Sequence, residues 1–410
     1  MFIDDKIAER LGGRAFGQST EIYKFEKIKQ AKRKALEKNP LRPIIDLGVG
    51  EPDQPAHASI VNVLAEEAGK AENRFYADNG IAEFQQAAGR FMKQVFRVNI
   101  DSPEKQIIHG IGTKPILAML PFCFMNSGDI LLNPSPGYPV PATYTRYLGA
   151  QVYNMPLLKE NNFYPDFSSV SEDILRQAKL LYLIYPNNPT GQTATRDFFQ
   201  QVLDLSDKYN FFVINDAAYS TLTYDGYEPL SILSLPGAME RAVEIHSLSK
   251  SYNMTGWRLG FAVGNEKAIK AYGAVKDNTD SGQFRAIQKA GAYALDHPEL
   301  IEVNRERYSR RLNLLVKTFK ELGFEAIKPK ASFYLYLPAP IGAGKQVFQA
   351  AAEVSTFLIE EASVSTVPWD EAGRFLRVSA TFEANGFEDE LRVMAEVKER
   401  LQALDLRFRV

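Results

Sequence analysis

The residues able to do chemistry recur at short intervals in the middle of the chain. The stretch VEIHSLSK ends in Ser247, Ser249 and Lys250, and Arg258 follows the lysine by eight residues. FFVIND ends in Asp216, 34 residues before Lys250, with Tyr219 three residues further on. A partly buried lysine loses its proton readily and becomes an amine nucleophile toward carbonyls. A carboxylate at a buried strand end is costly unless a cation meets it. Serine hydroxyls beside a guanidinium suit a phosphate, to which arginine offers a two-pronged fork. Taken singly, Lys250 reads as a surface lysine and Asp216 as a cap or loop acid.

Three further stretches change that balance. IHGIGTKPIL reads as a strand, a glycine turn and a helix start, with the backbone N–H groups of Gly112, Thr113 and Lys114 free to meet an anion. GxGxxG is absent, so a dinucleotide site is not supported. YPNNPTG, residues 185–191, sets Asn187 and Asn188 just past a strand. Asparagine and proline favour turns for steric reasons, yet these amides also point donors at a strand-end crevice. PSPGYPVPATY holds Tyr138 on a proline-bounded turn, as core or as a flat surface for a ring. A nucleophilic lysine, a buried acid, phosphate donors from two loops, a stacking aromatic and an amide together meet the needs of pyridoxal 5'-phosphate.

These residues need elements that bring them together. From about residue 43 to 265, apolar runs end in glycine, proline or asparagine and alternate with amphipathic stretches. The strand candidates are PIIDLGVG, QIIHGIG, DILLNPSPG, QVYNMP, LLYLIYPNNPTG, FFVINDAAYS, VEIHSLSK and RLGFAVG. The helical ones include SIVNVLAEEAGKA and RDFFQQVLDLSDKY. Alternation of this kind implies an α/β fold with a mainly parallel sheet covered on both faces. In such sheets ligands bind outside the carboxyl ends of the strands, where these residues lie. Residues 293–322 read as one long polar helix or two shorter ones. SFYLYLPAP, SVSTVPWD and FLRVSAT then predict a smaller α+β domain. The expected division is residues 1–42 as an arm and basic helix joining the small domain, 43–295 as the large domain and 296–410 as the small one.

Composition excludes several classes. The 410 residues carry 48 basic and 50 acidic side chains, a net charge of −2, with 45% hydrophobic residues. Neither a nucleic-acid surface nor a membrane surface is indicated. Cys123 is the only cysteine, so no intrachain disulfide forms, which suits a reducing compartment. It sits in the apolar run PILAMLPFCFM and reads as a small core residue. His57, His109, His246 and His297 show no metal-ligand spacing. MFIDDKIAERLGG lacks the apolar segment of a signal peptide. A cytoplasmic protein without a metal is expected.

SLSKSYNMTGWRLGF, YPNNPTG, NDAAYS and GVGEPD together resemble the fold-type I, class I/II aminotransferases over almost the whole chain. YADNGIAEF, VKDNTDSGQF and VSTVPWDEAG are most similar to bacterial and archaeal enzymes assigned as LL-diaminopimelate aminotransferases. The resemblance implies pyridoxal phosphate joined to Lys250, which then moves the proton at the substrate Cα. It implies Asp216 against the pyridine nitrogen, Tyr219 and Asn188 on the ring's phenolic oxygen, and Tyr138 on the ring face. Thr113, Lys114, Ser247 and Arg258 would hold the phosphate, with Tyr76 reaching the phosphate of the neighbouring subunit of a homodimer. Arg377 in FLRVSAT and Gly50 in GVGEPD would hold the substrate α-carboxylate. Tyr23, Asp78, Asn79 and Ser281 are the candidates for the rest of the substrate.

The plant and chlamydial members carry a glutamate after the tyrosine of YADNG. This chain is one residue shorter there, leaving Asp78 or Asn79 as the nearest polar groups. The implied reaction is amino transfer from LL-2,6-diaminopimelate to 2-oxoglutarate, giving tetrahydrodipicolinate and glutamate. The alternatives are an aspartate, alanine or aromatic aminotransferase, or a lyase on the same fold.

Overall fold

The computed structural model describes residues 2–17 and 24–408. The chain divides into two compact units. One comprises Met1–Val49, Leu314–Ile327 and Tyr336–Val410; the other comprises Gly50–Asn313 and Lys328–Leu335.

The larger unit is built on one seven-stranded sheet. Its strands are β1 (Ile107–Gly110), β2 (Ile130–Ser135), β3 (Gln151–Pro156), β4 (Ala178–Ile184), β5 (Phe212–Asp216), β6 (Ala242–Ser247) and β7 (Gly260–Gly264). They lie in the order β1-β7-β6-β5-β4-β2-β3. Neighbours are parallel except around β7, which runs antiparallel to both β1 and β6. Seven of the eight expected strands thus share one sheet. The eighth, PIIDLGVG, differs: only Ile45–Asp46 is extended, and it pairs with Val364–Ser365 in the smaller unit. Its proline, its two glycines and the polar Asp46 leave too short an apolar run for a central strand.

The central strands are buried on both faces, as a parallel sheet demands. Every residue of β6 from Ala242 to His246 and every residue of β7 is buried. Leu131, Leu180, Ile214, Val243, Ile245 and Ala262 join one apolar core with Ile116, Leu117 and Leu120 of the helix Thr113–Phe124. Cys123 packs half-buried against that core, and burial pushes its thiol up to about 12. The helix Arg196–Tyr209 starts at Thr195, whose hydroxyl accepts from the N–H of Phe198, the expected capping chemistry. Because β4, β5 and β6 are parallel and in register, their carboxyl ends place Ile184, Asp216 and Ser247 along one edge of the sheet.

Residues 285–321 form two helices, Arg285–Asp296 and Glu302–Glu321, joined by a short 3-10 turn at Pro298. In the second, Arg311 makes a two-pronged ion pair with Asp53 at 3.0 and 2.9 Å. Both side chains are almost fully buried, at 1% and 2% exposure. The pair fixes the segment GEPD that begins at Gly50.

The smaller unit contains a three-stranded sheet in which Val367–Trp369 and Phe375–Ser379 are antiparallel. The helix Lys24–Lys38 belongs to this unit: Ile28, Ala31 and Ala35 pack with Ile359, Val367 and Trp369. Among the described residues no helix is long and apolar enough to cross a membrane.

Removing one member of a buried, doubly bonded ion pair strands the other's charge. Arg311→Ala is therefore expected to lower the unfolding free energy by about 3–5 kcal/mol in a urea titration. Arg392→Ala, which breaks an exposed pair with Asp389, is expected to lose no more than about 1 kcal/mol.

Candidate active site

Lys250 lies in the short helical turn Leu248–Ser251 directly after β6. The turn begins at Ser247, whose hydroxyl accepts from the N–H of Ser249 at 3.1 Å. Thr255 donates to the carbonyl of Ser249 at 3.0 Å, tying the loop back on itself. Lys250 is half-buried, and its Nζ donates to the carbonyl of Gly50 at 2.8 Å. A Cβ on Gly50 would sit 2.2 Å from the Tyr334 hydroxyl, so glycine is required by the close approach of backbone to ring. Tyr334 in turn lies 3.1 Å from the hydroxyl of Tyr219. Lys250, Gly50, Tyr334 and Tyr219 therefore form one continuous cluster, although Gly50 and Lys250 are 200 residues apart.

Asp216 closes β5, is 3% exposed, and makes no ion pair among the described residues. The N–H of Ala218 donates to Oδ1 at 3.2 Å, and the Tyr182 hydroxyl stands 3.5 Å from Oδ2. Burial pushes the carboxyl up to about 7, against the smaller opposing pulls of those two donors and of Lys250. A buried acid lifted this far, with one weak pull from a lysine, is poised to ionise when a cationic ring nitrogen arrives.

The anion-binding end is formed by two segments. Gly112 precedes the helix Thr113–Phe124 with φ +73°, and a Cβ there would lie 2.3 Å from Nη2 of Arg258. The guanidinium thus lies directly against the turn at the helix N-terminus. Arg258 itself has φ +58° and donates from Nη1 to the carbonyl of Thr255 at 2.8 Å. Positive helix-end N–H groups and a guanidinium on one spot make a site for a doubly charged phosphate. The side chain of Lys114 is exposed and lines a groove with Phe122, Tyr144 and Val275. What Lys114 offers this spot is its backbone N–H.

The two asparagines of YPNNPTG divide the work. Asn187 is fully buried: its Oδ1 accepts from the N–H and hydroxyl of Thr190, and its amide donates to Ile184. It builds the turn and leaves Asn188 half-buried at the strand edge. Tyr138, half-buried, packs against the apolar core beside β2. These placements suit a flat ring held between β2, β4 and β5.

Four other expected positions fall elsewhere in the larger unit. Tyr76, Asp78, Asn79 and Ser281 converge where the segments 75–81 and 277–285 meet. Ala77 donates to Ser281, and Arg285 donates to the carbonyl of Tyr76 at 2.7 Å. Tyr76 is 79% exposed. Asn79 gives its amide to Asp277 at 2.7 Å, while Asp78 is exposed. In the smaller unit Arg377 is 5% exposed on Phe375–Ser379, with Nη2 donating to Gly48 at 2.8 Å. Tyr23 lies outside the described residues.

Sequence reading missed Tyr334 and Arg311. The alternation in SFYLYLP puts Tyr334 and Tyr336, two polar-tipped rings, on one face and could have flagged the pair; Arg311 in a polar helix gave no such signal.

A lysine at one strand end, a buried acid at the end of the adjacent strand with no ion pair among the described residues, and an arginine against a helix N-terminus thus share one edge of the sheet. The sequence profile of "Aminotransferase class I and II" matches residues 42–397.

The chain belongs to the class I and II aminotransferases.

Among relatives, the LL-diaminopimelate aminotransferase of Methanocaldococcus jannaschii is 51% identical, covering 99% of each chain. The enzyme of that name from Methanococcus maripaludis is 48% identical with the same coverage. Among solved structures, substrate-bound BacF of Bacillus subtilis superposes with TM-score 0.87 at 32% identity, over 98% of this chain and 99% of that one. This aminotransferase fold uses pyridoxal phosphate, and the lifted Asp216, the Gly112–Arg258 cradle and Lys250 fit that group.

The sign of the Asp216 shift sets a pH dependence for the cofactor-free protein. Its folded value lies above its ordinary value of 3.8, so the carboxyl contributes stability at low pH that is lost as pH rises through about 7. Asp216→Asn is expected to melt at a higher temperature than the parent. The gap should widen from about pH 4 to about pH 7 and level off above. Thermal denaturation across that range checks it; a gap that narrows with rising pH contradicts the assignment.

Proposed function

We propose that this aminotransferase transfers the amino group of LL-2,6-diaminopimelate to 2-oxoglutarate, yielding tetrahydrodipicolinate and glutamate in lysine biosynthesis, as a cytoplasmic homodimer with shared active sites. The activity named for the two archaeal relatives, matched end to end, is the observation that carries the substrate.

Bound pyridoxal phosphate supplies an electron sink for the charge left when Cα loses its proton. The chain's own groups do the rest. Lys250 removes and returns the proton at Cα; its hydrogen bond to the Gly50 carbonyl holds Nζ in place beforehand. Asp216 supplies a buried negative charge for the ring nitrogen, worth more in a dry site than in water. Asn188 and the Tyr219 hydroxyl would meet the phenolic oxygen, and Tyr138 would stack on the ring face. Thr113, Lys114 through its N–H, Ser247 and Arg258 would take the phosphate.

Arg377 is proposed to grip the substrate α-carboxylate through its two-pronged fork. Gly50 contributes its N–H alone, since its carbonyl accepts from Lys250 and an oxygen cannot bind an anion. The distal end of the substrate carries both an ammonium and a carboxylate. The exposed patch of Tyr76, Asp78, Asn79 and Ser281 suits a neighbouring subunit's site. There Asp78 is the acceptor for the ammonium, because its carboxylate is charged and exposed, whereas Oδ1 of Asn79 is shielded from solvent.

Two mutations test the roles separately. Lys250→Ala is expected to fold and to lose about four orders of magnitude in turnover, measured as glutamate formed, since nucleophile and base vanish together. Asp78→Ala is expected to raise KM for LL-diaminopimelate about 10-fold while leaving KM for glutamate in the reverse direction unchanged. A panel of amino donors with 2-oxoglutarate checks the substrate itself. No turnover of LL-diaminopimelate with good turnover of aspartate or alanine moves the enzyme elsewhere in its family.

A further inference from the structure

Arg258 occupies a conformation that needs a reason. Its φ of +58° is in the left-handed region, where a long side chain is strained. Two carbonyls flank its Cα, those of Trp257 and Arg258. Both are held by one group: Nε2 of Gln283 donates to Trp257 at 2.7 Å and to Arg258 at 2.8 Å. With the peptide planes on both sides anchored to a single amide, the φ and ψ of Arg258 are fixed together.

The amide is itself held from behind. Nε2 of Gln283 faces two acceptors, so its nitrogen and oxygen cannot be exchanged, and both of its hydrogens are in use. Oε1 must then accept, and its partner is Nε2 of His109 at 2.9 Å. His109 lies fully buried in β1, edge-on to Phe84. It therefore carries its proton on Nε2, and Nδ1 is a bare nitrogen with no hydrogen-bond partner among the described residues. Burial holds the ring well below the usual imidazole range, at about 4, so it remains neutral. The backbone of Gln283 is also fixed, because Gln288, fully buried, donates to its carbonyl at 2.8 Å. Oε1 of Gln288 accepts from the N–H of Ile81 at 2.9 Å.

We propose that Gln283 is the positioning residue for Arg258: its amide, oriented by His109, sets the guanidinium against the helix turn at Gly112 to receive the cofactor phosphate. The inference rests on the reading of Arg258 as a phosphate ligand. Gln283 touches neither cofactor nor substrate in this role. It acts through the backbone on either side of the arginine. Arg258 donates to Thr255 and rests on Gly112, but those contacts hold only the head of the side chain. Without the amide clamp, the strained backbone relaxes and the fork is no longer preset for its anion.

The test compares two ligands that differ only in the phosphate. Cofactor-free protein is titrated with pyridoxal phosphate and with pyridoxal, following the visible absorbance of the Lys250-bound ligand. Gln283→Met keeps the volume and removes both donors; Arg258→Ala is the reference for a lost phosphate contact. Gln283→Met is expected to weaken pyridoxal phosphate binding about 10-fold and to leave pyridoxal binding unchanged. Gln283→Glu, which turns a carboxylate toward two carbonyls, should weaken it further with the same selectivity. Unchanged pyridoxal phosphate affinity in Gln283→Met alongside a weakened Arg258→Ala overturns the positioning role alone. Equal loss for both ligands overturns it too, since that is general loosening. Unchanged affinity in Arg258→Ala sinks the phosphate reading beneath it. If Gln283→Met does not fold, His109→Phe carries the test: it removes the donor that orients the amide, a smaller phosphate-selective loss is expected, and parental affinity overturns the inference.

Discussion

The site depends on a carboxylate kept inside the protein with no cation paired to it among the described residues. Asp216 stands at the end of a central strand where water is excluded, and burial lifts it to about 7. Left alone, such a group weakens the fold; it is sustained because the surrounding sheet is buried on both faces and tightly packed. In the proposed assignment, a ring nitrogen that arrives with a proton would relieve that cost. In the role proposed for Asp216, the cofactor would be held at the atom where positive charge assists withdrawal of electrons from Cα. Stability given up by the empty protein and catalytic power of the loaded one are two sides of one placement.

Much of the rest positions other groups around that charge. The parallel pairing of β4, β5 and β6 brings three strand ends level, and the antiparallel β7 starts at that same edge, so Arg258 just before it meets the turn at Gly112. The Arg311–Asp53 pair holds the segment starting at Gly50. Gly50 then receives the amine of Lys250 without a side chain in the way of Tyr334. Each device fixes backbone first and chemistry second.

The strand ends were legible because apolar runs stop abruptly at Asp216, Ser247 and Asn187, and parallel connections force such ends to one side. Lys250, Arg258 and the Gly112 turn could be read together for that reason. PIIDLGVG reads as a strand from hydrophobicity alone, yet only two of its residues are extended, paired with the smaller unit. Adjacent Asn187 and Asn188 look equivalent in sequence; only the turn geometry shows that the first is used up by Thr190. His109 and Gln283 lie 174 residues apart, and a histidine inside an apolar strand reads as core. Nothing in local pattern links it to the carbonyls beside Arg258. Contacts between side chain and distant backbone are set by the fold and leave no periodicity to detect.

The most direct test of the central claim is to reduce the pyridoxal phosphate-loaded protein with borohydride, digest it, and locate the modified lysine by mass spectrometry. The account predicts one phosphopyridoxyl adduct, on Lys250, at full occupancy, and none in Lys250→Ala. Labelling at another lysine such as Lys114 or Lys276, or no labelling at all, contradicts it.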